Sequence, residues 1–196
     1  DFSQFEKKAD VVFTDKDLLK QAFTHRSYIN ENRNVAVAHN ERLEFLGDAV
    51  LELVTTEYLY RKYPDKPEGE LTAYRSALVN STTLAAVATT LAVNDYLLLS
   101  HGEAKDNGRA RQYILADALE AVIGAVYVDR GYEIAKEFIN NHILHLIDDI
   151  VEKRKWIDIN EFNSAFSLIK AMPGPVAFMV AVFMGRKRGG YLGGAL

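Results

Sequence analysis

Apolar residues recur at helical spacing through most of the first 150 positions, and turn-forming residues separate the apolar segments. Thr14 and Asp17 resemble a capping box, which predicts a short helix over residues 17–23. The remaining predicted helices cover residues 40–63, 70–92, 111–129 and 133–152, with loops at 25–39 and 100–107. Asn40 is the predicted N-cap of the first long helix, and Pro64 ends it. The pattern therefore predicts an all-α domain.

The character of the chain changes after Trp156. Six of the twelve glycines lie between residues 174 and 194, and residues 176–183 form a β-prone run that a turn-like segment follows. We therefore predict a helical domain over residues 1–153 and a linker with a small α+β segment over residues 154–196.

Composition narrows the possible functions. The 196 residues are 48% hydrophobic and 26% charged, which is typical of a globular protein. The absence of cysteine excludes disulfides, thiol nucleophiles and cysteine-bound zinc or iron–sulfur centres. No apolar run approaches the roughly 20 residues that cross a bilayer, so we expect a cytoplasmic protein without a membrane partner.

Charge is distributed unevenly along the chain. The net charge is −4, although residues 157–196 hold four basic residues against two acidic ones, so the helical part is more acidic than the whole. An acidic surface repels a phosphate backbone unless cations intervene. Binding of a polyanion by the helical part would therefore suggest bound metal, whereas the basic tail could bind phosphates directly.

One stripe of the helix over residues 40–63 is acidic. At 100° per residue it carries Glu41, Glu44, Asp48 and Glu52, and we expect the apolar face on the opposite side, with Leu43, Leu46, Val50 and Leu53. A solvated face is one interpretation. Solvated faces usually mix lysine with glutamate, however, and this helix offers the stripe no basic neighbour.

The helix over residues 111–129 is apolar nearly all round, which predicts that it is buried. Asp117 and Glu120 share one face of it, and Gly124 continues that face. A buried carboxylate needs a basic partner, a proton or a metal, and structural salt bridges are one explanation. If the two helices pack together, up to six carboxylates converge, which favours hard divalent cations such as magnesium.

Two segments also carry a family resemblance. Residues 40–51 resemble the signature of ribonuclease III, and residues 114–125 resemble its second catalytic segment, while 23–28 and 68–72 are similar to further family segments. The resemblance covers residues 5–150. It implies an all-helical, homodimeric endonuclease that cuts double-stranded RNA by two-metal hydrolysis with Mg²⁺, or with Mn²⁺ as an alternative. It also implies 5′-phosphate products with short 3′ overhangs, and a part in processing ribosomal and other RNA.

The resemblance assigns roles by position. It implies that Asp48 and Glu120 are catalytic residues and that Glu41 and Glu68 are auxiliary acids. It also implies four metal ligands, which are Glu44, Asp48, Asp117 and Glu120. Because all four ligands are present, the chain is expected to be active. The alternative is a catalytically silent double-stranded-RNA-binding or ribosome-associated protein of the same fold.

Several residues near these motifs have further expected roles. Phe45 lies beside the acidic stripe, and the resemblance places it in a pocket of a second subunit. Gly47 is expected to allow close helix packing. Arg26, Arg109 and Arg111 are candidate contacts to the RNA backbone, although Arg26 could instead cap a loop and the other two could pair with acids.

The tail resembles part of a double-stranded-RNA-binding domain. Residues 160–172 are similar to its first helix and residues 178–185 to its first strand and turn, but the lysine-rich start of its second helix is missing. We therefore do not expect the tail to bind RNA alone. A second alternative is a nuclease of this fold that lacks a working RNA-binding domain and is specialised for a structured ribosomal precursor.

Overall fold

A computed structural model of the chain describes residues 2–105 and 109–145, with the side chains of residues 109 and 110 left aside. The α-helices in these residues are α1 (Ser3–Ala9), α2 (Lys16–Ala22), α3 (Arg26–Glu31), α4 (Glu41–Lys62), α5 (Glu68–Leu78), α6 (Ser81–Thr90), α7 (His101–Lys105), α8 (Arg109–Arg130) and α9 (Tyr132–Ile139). A 3₁₀ turn spans Val93–Asp95, and a π-helical turn over Asn140–Leu144 follows α9. The predicted all-α fold is confirmed, and the predicted boundary at residue 153 and the α+β tail lie outside the described residues.

Helix α8 forms the centre of the fold. Seven of its apolar side chains have no exposed surface (Ala118, Leu119, Ala121, Val122, Ile123, Ala125 and Val126). Its most extensive contacts are with α4, and α6, α9 and α2 pack around the rest of it. The prediction that this helix is buried is confirmed. An apolar helix surrounded on several sides holds any polar side chain it carries in a position set by its neighbours.

Helix α4 is rotated relative to the predicted apolar face. Leu51 is fully buried, whereas Leu53, which was expected in the core, is 57% exposed. The buried face also includes Val54 and Gly47. The expectation for Leu53 was wrong because the rotation of α4 is set by close backbone packing against α8. The position of the most apolar side of α4 does not set it.

Four other local expectations were wrong. Helix α2 is capped by Asp15, whose side chain accepts the Asp17 N–H, instead of by Thr14. Asn40 precedes α4 but makes no side-chain cap, since its Nδ2 donates to the Ala22 carbonyl. The predicted helix over 70–92 is two helices, and the predicted loops at 25–39 and 100–107 contain α3 and α7.

The break between α5 and α6 has a local cause. Asn80 has an extended backbone, and its Oδ1 accepts the N–H of Thr83 at 3.0 Å. Asparagine is a strong N-cap because its side chain replaces a missing helical hydrogen bond. Asn80 therefore begins a new helix where the apolar pattern alone continued the old one.

No helix in the described ranges, 2–105 and 109–145, combines the length and the apolar character needed to cross a bilayer.

Candidate metal centre

Two glycines bring α4 and α8 into backbone contact. A Cβ atom built on Gly47 would lie 1.7 Å from the Glu120 carbonyl oxygen, and one built on Gly124 would lie 2.1 Å from the Leu43 carbonyl oxygen. Real Cβ atoms essentially never come so close, so any side chain at either position would force the helices apart. The expected role of Gly47 in close packing is confirmed.

This crossing places carboxylates opposite each other. Glu44 lies one turn before Gly47, and Glu120 lies about one turn before Gly124, so both side chains project beside the contact. Asp117 lies one turn before Glu120 on the same face of α8. The structure thus joins an acidic stripe of one helix to the two acids of another.

Three of these carboxylates form a compact group. Glu44, Asp117 and Glu120 are all half-buried, and one oxygen from each lies within 4.8 Å of the others. Around a six-coordinate Mg²⁺ with bonds of about 2.1 Å, neighbouring oxygens are roughly 3 Å apart and opposite ones roughly 4 Å apart. The donor set and its spacing therefore fit a hard divalent cation that keeps several waters.

The electrostatics of the group also favour a cation. Burial raises the pKa of Glu120 to about 8, and the negative charges of Asp48, Asp117 and Glu44 add to the shift. Burial likewise raises the pKa of Glu44, with Asp117, Glu41 and Asp48 contributing, and burial raises the pKa of Asp117. Each shift shows that burial disfavours the charged carboxylate more than nearby positive charge favours it, and a bound cation would supply the missing positive charge.

Asp48 lies at the edge of this group. It is exposed and is not one of the three carboxylates within 4.8 Å of each other. Its charge nevertheless contributes to the raised pKa of Glu120, so Asp48 lies within electrostatic reach of the group. Partial burial, and then the charge of Glu52, raise the pKa of Asp48 itself.

Glu41 has basic partners that the sequence pattern did not reveal. Its Oε1 lies 3.3 Å from Nη1 of Arg26, and its Oε2 lies 3.7 Å from Nδ1 of His39. The expectation that the stripe has no basic neighbour was wrong here, because both partners come from outside α4. Arg26, a candidate RNA contact, is therefore already engaged with an acid.

Glu68 is placed on a different helix from the group. It is the first residue of α5, and its Oε1 accepts a hydrogen bond from Thr72 Oγ1 at 2.9 Å. It lines a cleft of about 410 Å³ between α4 and α5, together with Tyr60, Tyr63 and Arg75.

The two arginines before the carboxylates of α8 are placed differently. Arg109 is the first residue of α8, and its side chain lies outside the described part of the chain. Arg111 donates from Nη2 to the Ala104 carbonyl at 3.2 Å, and its buried Nη1 has no hydrogen-bond partner among the described residues. Neither position is in the three-carboxylate group.

An apolar row lies on the exposed side of α4. Phe45 is 81% exposed, Tyr60 is 72% exposed and Leu53 is 57% exposed, and helical spacing puts the three on one side of the helix. Such a row on an otherwise well-packed helix is typical of a surface that another chain covers.

His25 also belongs to the surroundings of the group, and the sequence pattern predicted no role for it. Its positive charge, when protonated, lowers the pKa of Asp117, which opposes the effect of burial. The signal was available in the sequence, because His25 lies inside the segment 23–28 that resembles a family motif.

Comparisons with known proteins agree with this arrangement. A family model described as ribonuclease-III-like matches residues 15–147. The chain is 47% identical over 146 residues to ribonuclease 3 of Enterococcus faecalis, a match that covers 74% of this chain and 64% of the relative. It is 43% identical over 164 residues to ribonuclease 3 of Streptococcus uberis, covering 84% of this chain and 70% of the relative. The chain thus spans about two thirds of the length of these relatives.

A solved structure is similar as well. The nuclease domain of ribonuclease III from Campylobacter jejuni, described as flexible in a region involved in dimer formation, superposes with a TM-score of 0.66 at 41% identity. The match covers 76% of this chain and 97% of that domain.

The end of the chain matches a different model. Residues 140–196 match a family model described as a chromate transporter, which covers less than a third of the chain. This description differs from the RNA-binding segment expected over residues 154–196. The chemistry proposed below therefore rests on residues 15–147.

Proposed function

The chain belongs to the ribonuclease-III-like family, and we propose that it is an endonuclease that hydrolyses double-stranded RNA. The proposed products carry 5′-phosphates and short 3′ overhangs, and the proposed substrates are structured ribosomal and other RNA. The observation that carries the proposal is the group of Glu44, Asp117 and Glu120 held at a backbone-to-backbone helix crossing. The proposed place of action is the cytoplasm.

The proposed cofactor is Mg²⁺, with Mn²⁺ as an alternative. Glu44, Asp117 and Glu120 would hold it, and Asp48 would complete the set from the rim. When bound, such cations lower the pKa of water and neutralise charge on the scissile phosphate and on the leaving oxygen. No side chain of the group is then required as a direct general base.

The protein's own contribution is to hold these acids close together in a fixed arrangement. Glu120 and Asp117 project from a helix whose apolar side chains are buried, so their orientation is set before substrate arrives. The raised pKa of Glu120 means that most of the population is protonated near neutral pH, so Glu120 would release this proton when it binds a cation.

A homodimer is part of the proposal, because one carboxylate group serves one strand and a duplex has two. The exposed row of α4 is self-complementary in an antiparallel arrangement: a two-fold axis near Leu53 puts Phe45 of one copy opposite Tyr60 of the other. Tyr60 lines the 410 Å³ cleft, which is large enough for a phenyl ring. Glu68, on the same cleft, would then come near the carboxylates of the second copy.

The direct test is cleavage of a long RNA duplex by the full chain, with and without Mg²⁺, followed by mapping of the product ends. We expect cleavage only with the metal, 5′-phosphates, and 3′ overhangs on both strands. Binding of the duplex without cleavage under these conditions would support the alternative of a silent RNA-binding protein. Glu120→Gln, which keeps the size of the side chain, should bind the duplex and fail to cut it.

A further inference from the structure

His25 is held in one orientation by contacts on a single ring nitrogen. Its Nδ1 lies 3.3 Å from the backbone nitrogen of Ser27 and 2.8 Å from Ser27 Oγ. The Ser27 hydroxyl oxygen also accepts the N–H of Ser100 at 3.0 Å, so its own proton is directed to the imidazole. Two donors therefore point at Nδ1, which makes it the acceptor nitrogen of the neutral ring.

This arrangement leaves the ring proton on Nε2. The backbone of the same residue is tied down, because the His25 N–H donates to the Leu98 carbonyl at 3.0 Å and the neighbouring Thr24 carbonyl accepts the Asn40 N–H at 2.9 Å. Asn40 immediately precedes α4, the helix that carries Glu44. The backbone next to the imidazole is thus joined to the start of the acidic helix through the Thr24 carbonyl.

The contacts of its two neighbours in sequence place His25 at the first turn of the acidic helix. Thr24 accepts the Asn40 N–H, and Nη1 of Arg26 lies 3.3 Å from Oε1 of Glu41, which is one turn before Glu44. Nε2 of His25 has no hydrogen-bond partner in the described part of the chain. Burial raises the pKa of Asp117, and the positive charge of His25, when it is protonated, opposes that rise, which agrees with this placement. A phosphate that enters between acidic side chains needs donors as well as cations, and an oriented N–H at this end of the acidic stripe meets that need.

We infer that His25 donates its Nε2–H to a phosphate oxygen of the RNA strand bound at the carboxylate group, and that Ser27 is the positioning residue that fixes the imidazole for this contact. The inference rests on the proposed nuclease function and adds a substrate-binding residue to it. The competing explanation is purely structural, since Nδ1 of His25 also caps α3.

Two substitutions separate these roles. Asparagine carries an oxygen near the position of Nδ1 and is a strong N-cap, so His25→Asn keeps the cap and removes the Nε2–H. Glutamine carries an amide N–H near the position of Nε2, so His25→Gln keeps a donor and loses the cap. His101→Asn is the matched control, because His101 begins α7, its Nδ1 contacts Glu31, and it is not a member of the three-carboxylate group.

The variants are compared by steady-state cleavage of an RNA duplex in Mg²⁺, by duplex binding to the full chain in Ca²⁺, and by urea denaturation. For His25→Asn we expect a KM about tenfold higher, a kcat within about twofold of the original, and an unchanged denaturation midpoint, because a hydrogen bond to a charged group contributes to binding before and during the reaction. His25→Gln should show the reverse pattern, with a lower midpoint and a KM close to the original. Ser27→Ala should raise KM by a smaller factor, and His101→Asn should change neither value.

The outcomes test the role of His25 separately from the proposed nuclease function. If the original chain cuts the duplex and His25→Asn has an unchanged KM, the inference is overturned while the nuclease function stands. A raised Mg²⁺ requirement in His25→Asn, with unchanged duplex binding at saturating metal, would also overturn it, since His25 would then act on Asp117. If the original chain does not cut RNA in Mg²⁺, both are overturned.

Discussion

Replacing Glu120 by glutamine should make the metal-free protein more stable, although it should abolish cleavage. The pKa of Glu120 is raised from its ordinary value of 4.5 to about 8 because of burial and three neighbouring acids. At 1.36 kcal/mol per pKa unit, the full shift corresponds to about 5 kcal/mol of unfavourable ionisation in the folded state. Glu120 is only half-buried, so solvent screening reduces this figure, and we expect a gain of about 2 kcal/mol at pH 8.

The sign follows from where the proton is held. The unfolded chain releases the Glu120 proton near pH 4.5, whereas the folded chain keeps it up to about pH 8, so folding becomes less favourable as the pH rises between these values. Below pH 4.5 both states are protonated and the penalty disappears. The stability difference between Glu120→Gln and the original chain should therefore be smallest at about pH 4, grow through the neutral range and level off above about pH 8.

Urea denaturation followed by circular dichroism, in EDTA and at several values of pH, measures this difference. Adding Mg²⁺ should stabilise the original chain in proportion to the logarithm of metal concentration above its dissociation constant, and should stabilise the variant much less. Glu57→Gln is the matched control of opposite sign. Hydrogen bonds from Lys136 and Tyr132 lower the pKa of Glu57, so this variant should lose stability at neutral pH and approach the original chain in acid. This prediction would be refuted if, at about pH 8 and without metal, Glu120→Gln were no more stable than the original chain. That result would show that the ionised Glu120 carboxylate does not destabilise the folded protein.

Three further outcomes are expected. Calcium should support duplex binding without turnover, because its looser coordination fills an oxygen site without fixing the reacting groups in line; rapid cleavage in Ca²⁺ alone would contradict a strict site. Phe45→Ala should weaken the dimer by about 2–4 kcal/mol and reduce cutting of both strands while leaving helical content unchanged, as light scattering and circular dichroism would show; an unchanged dimer would remove Phe45 from the interface. Gly47→Ala should cost about 3 kcal/mol or more of folding free energy because its Cβ overlaps the Glu120 carbonyl, whereas Gly69→Ala, with open space around it, should cost nothing. Equal thermal midpoints for the two variants would contradict the close contact between α4 and α8.

The sequence predicted the acidic residues of this site better than their surroundings. Asp117 and Glu120 stand out because they interrupt an apolar helix, and Gly124 and Gly47 indicate close packing on the same faces. The pairing of Glu41 with Arg26 was not predictable in the same way. It depends on α3, a short helix whose existence rests on the His25 cap and on a contact with Ser100, which is distant in sequence.

The rotation of α4 shows why the apolar pattern was insufficient there. Leu46 and Leu53 made one side of the helix look like a core face, whereas main-chain contact at Gly47 turned a neighbouring side toward α8. An apolar residue that serves an interface between two copies of a chain produces the same periodic signal as one that serves the core. Sequence periodicity therefore predicts that α4 has an apolar side, and only the packing shows which residues lie inside.

The backbone contact between Gly47 and Gly124 has a consequence for how this domain can vary. The separation of the two acid-bearing helices at this point is set by main-chain contact, because neither glycine carries a side chain that could be exchanged for a larger or smaller one. The crossing consists of two helical segments, and each segment carries a glycine and an acidic residue one turn apart. A designer who wished to transplant the site into another helical scaffold would need to reproduce the interaxial distance at that one point and the apolar surroundings that hold the acid-bearing helix.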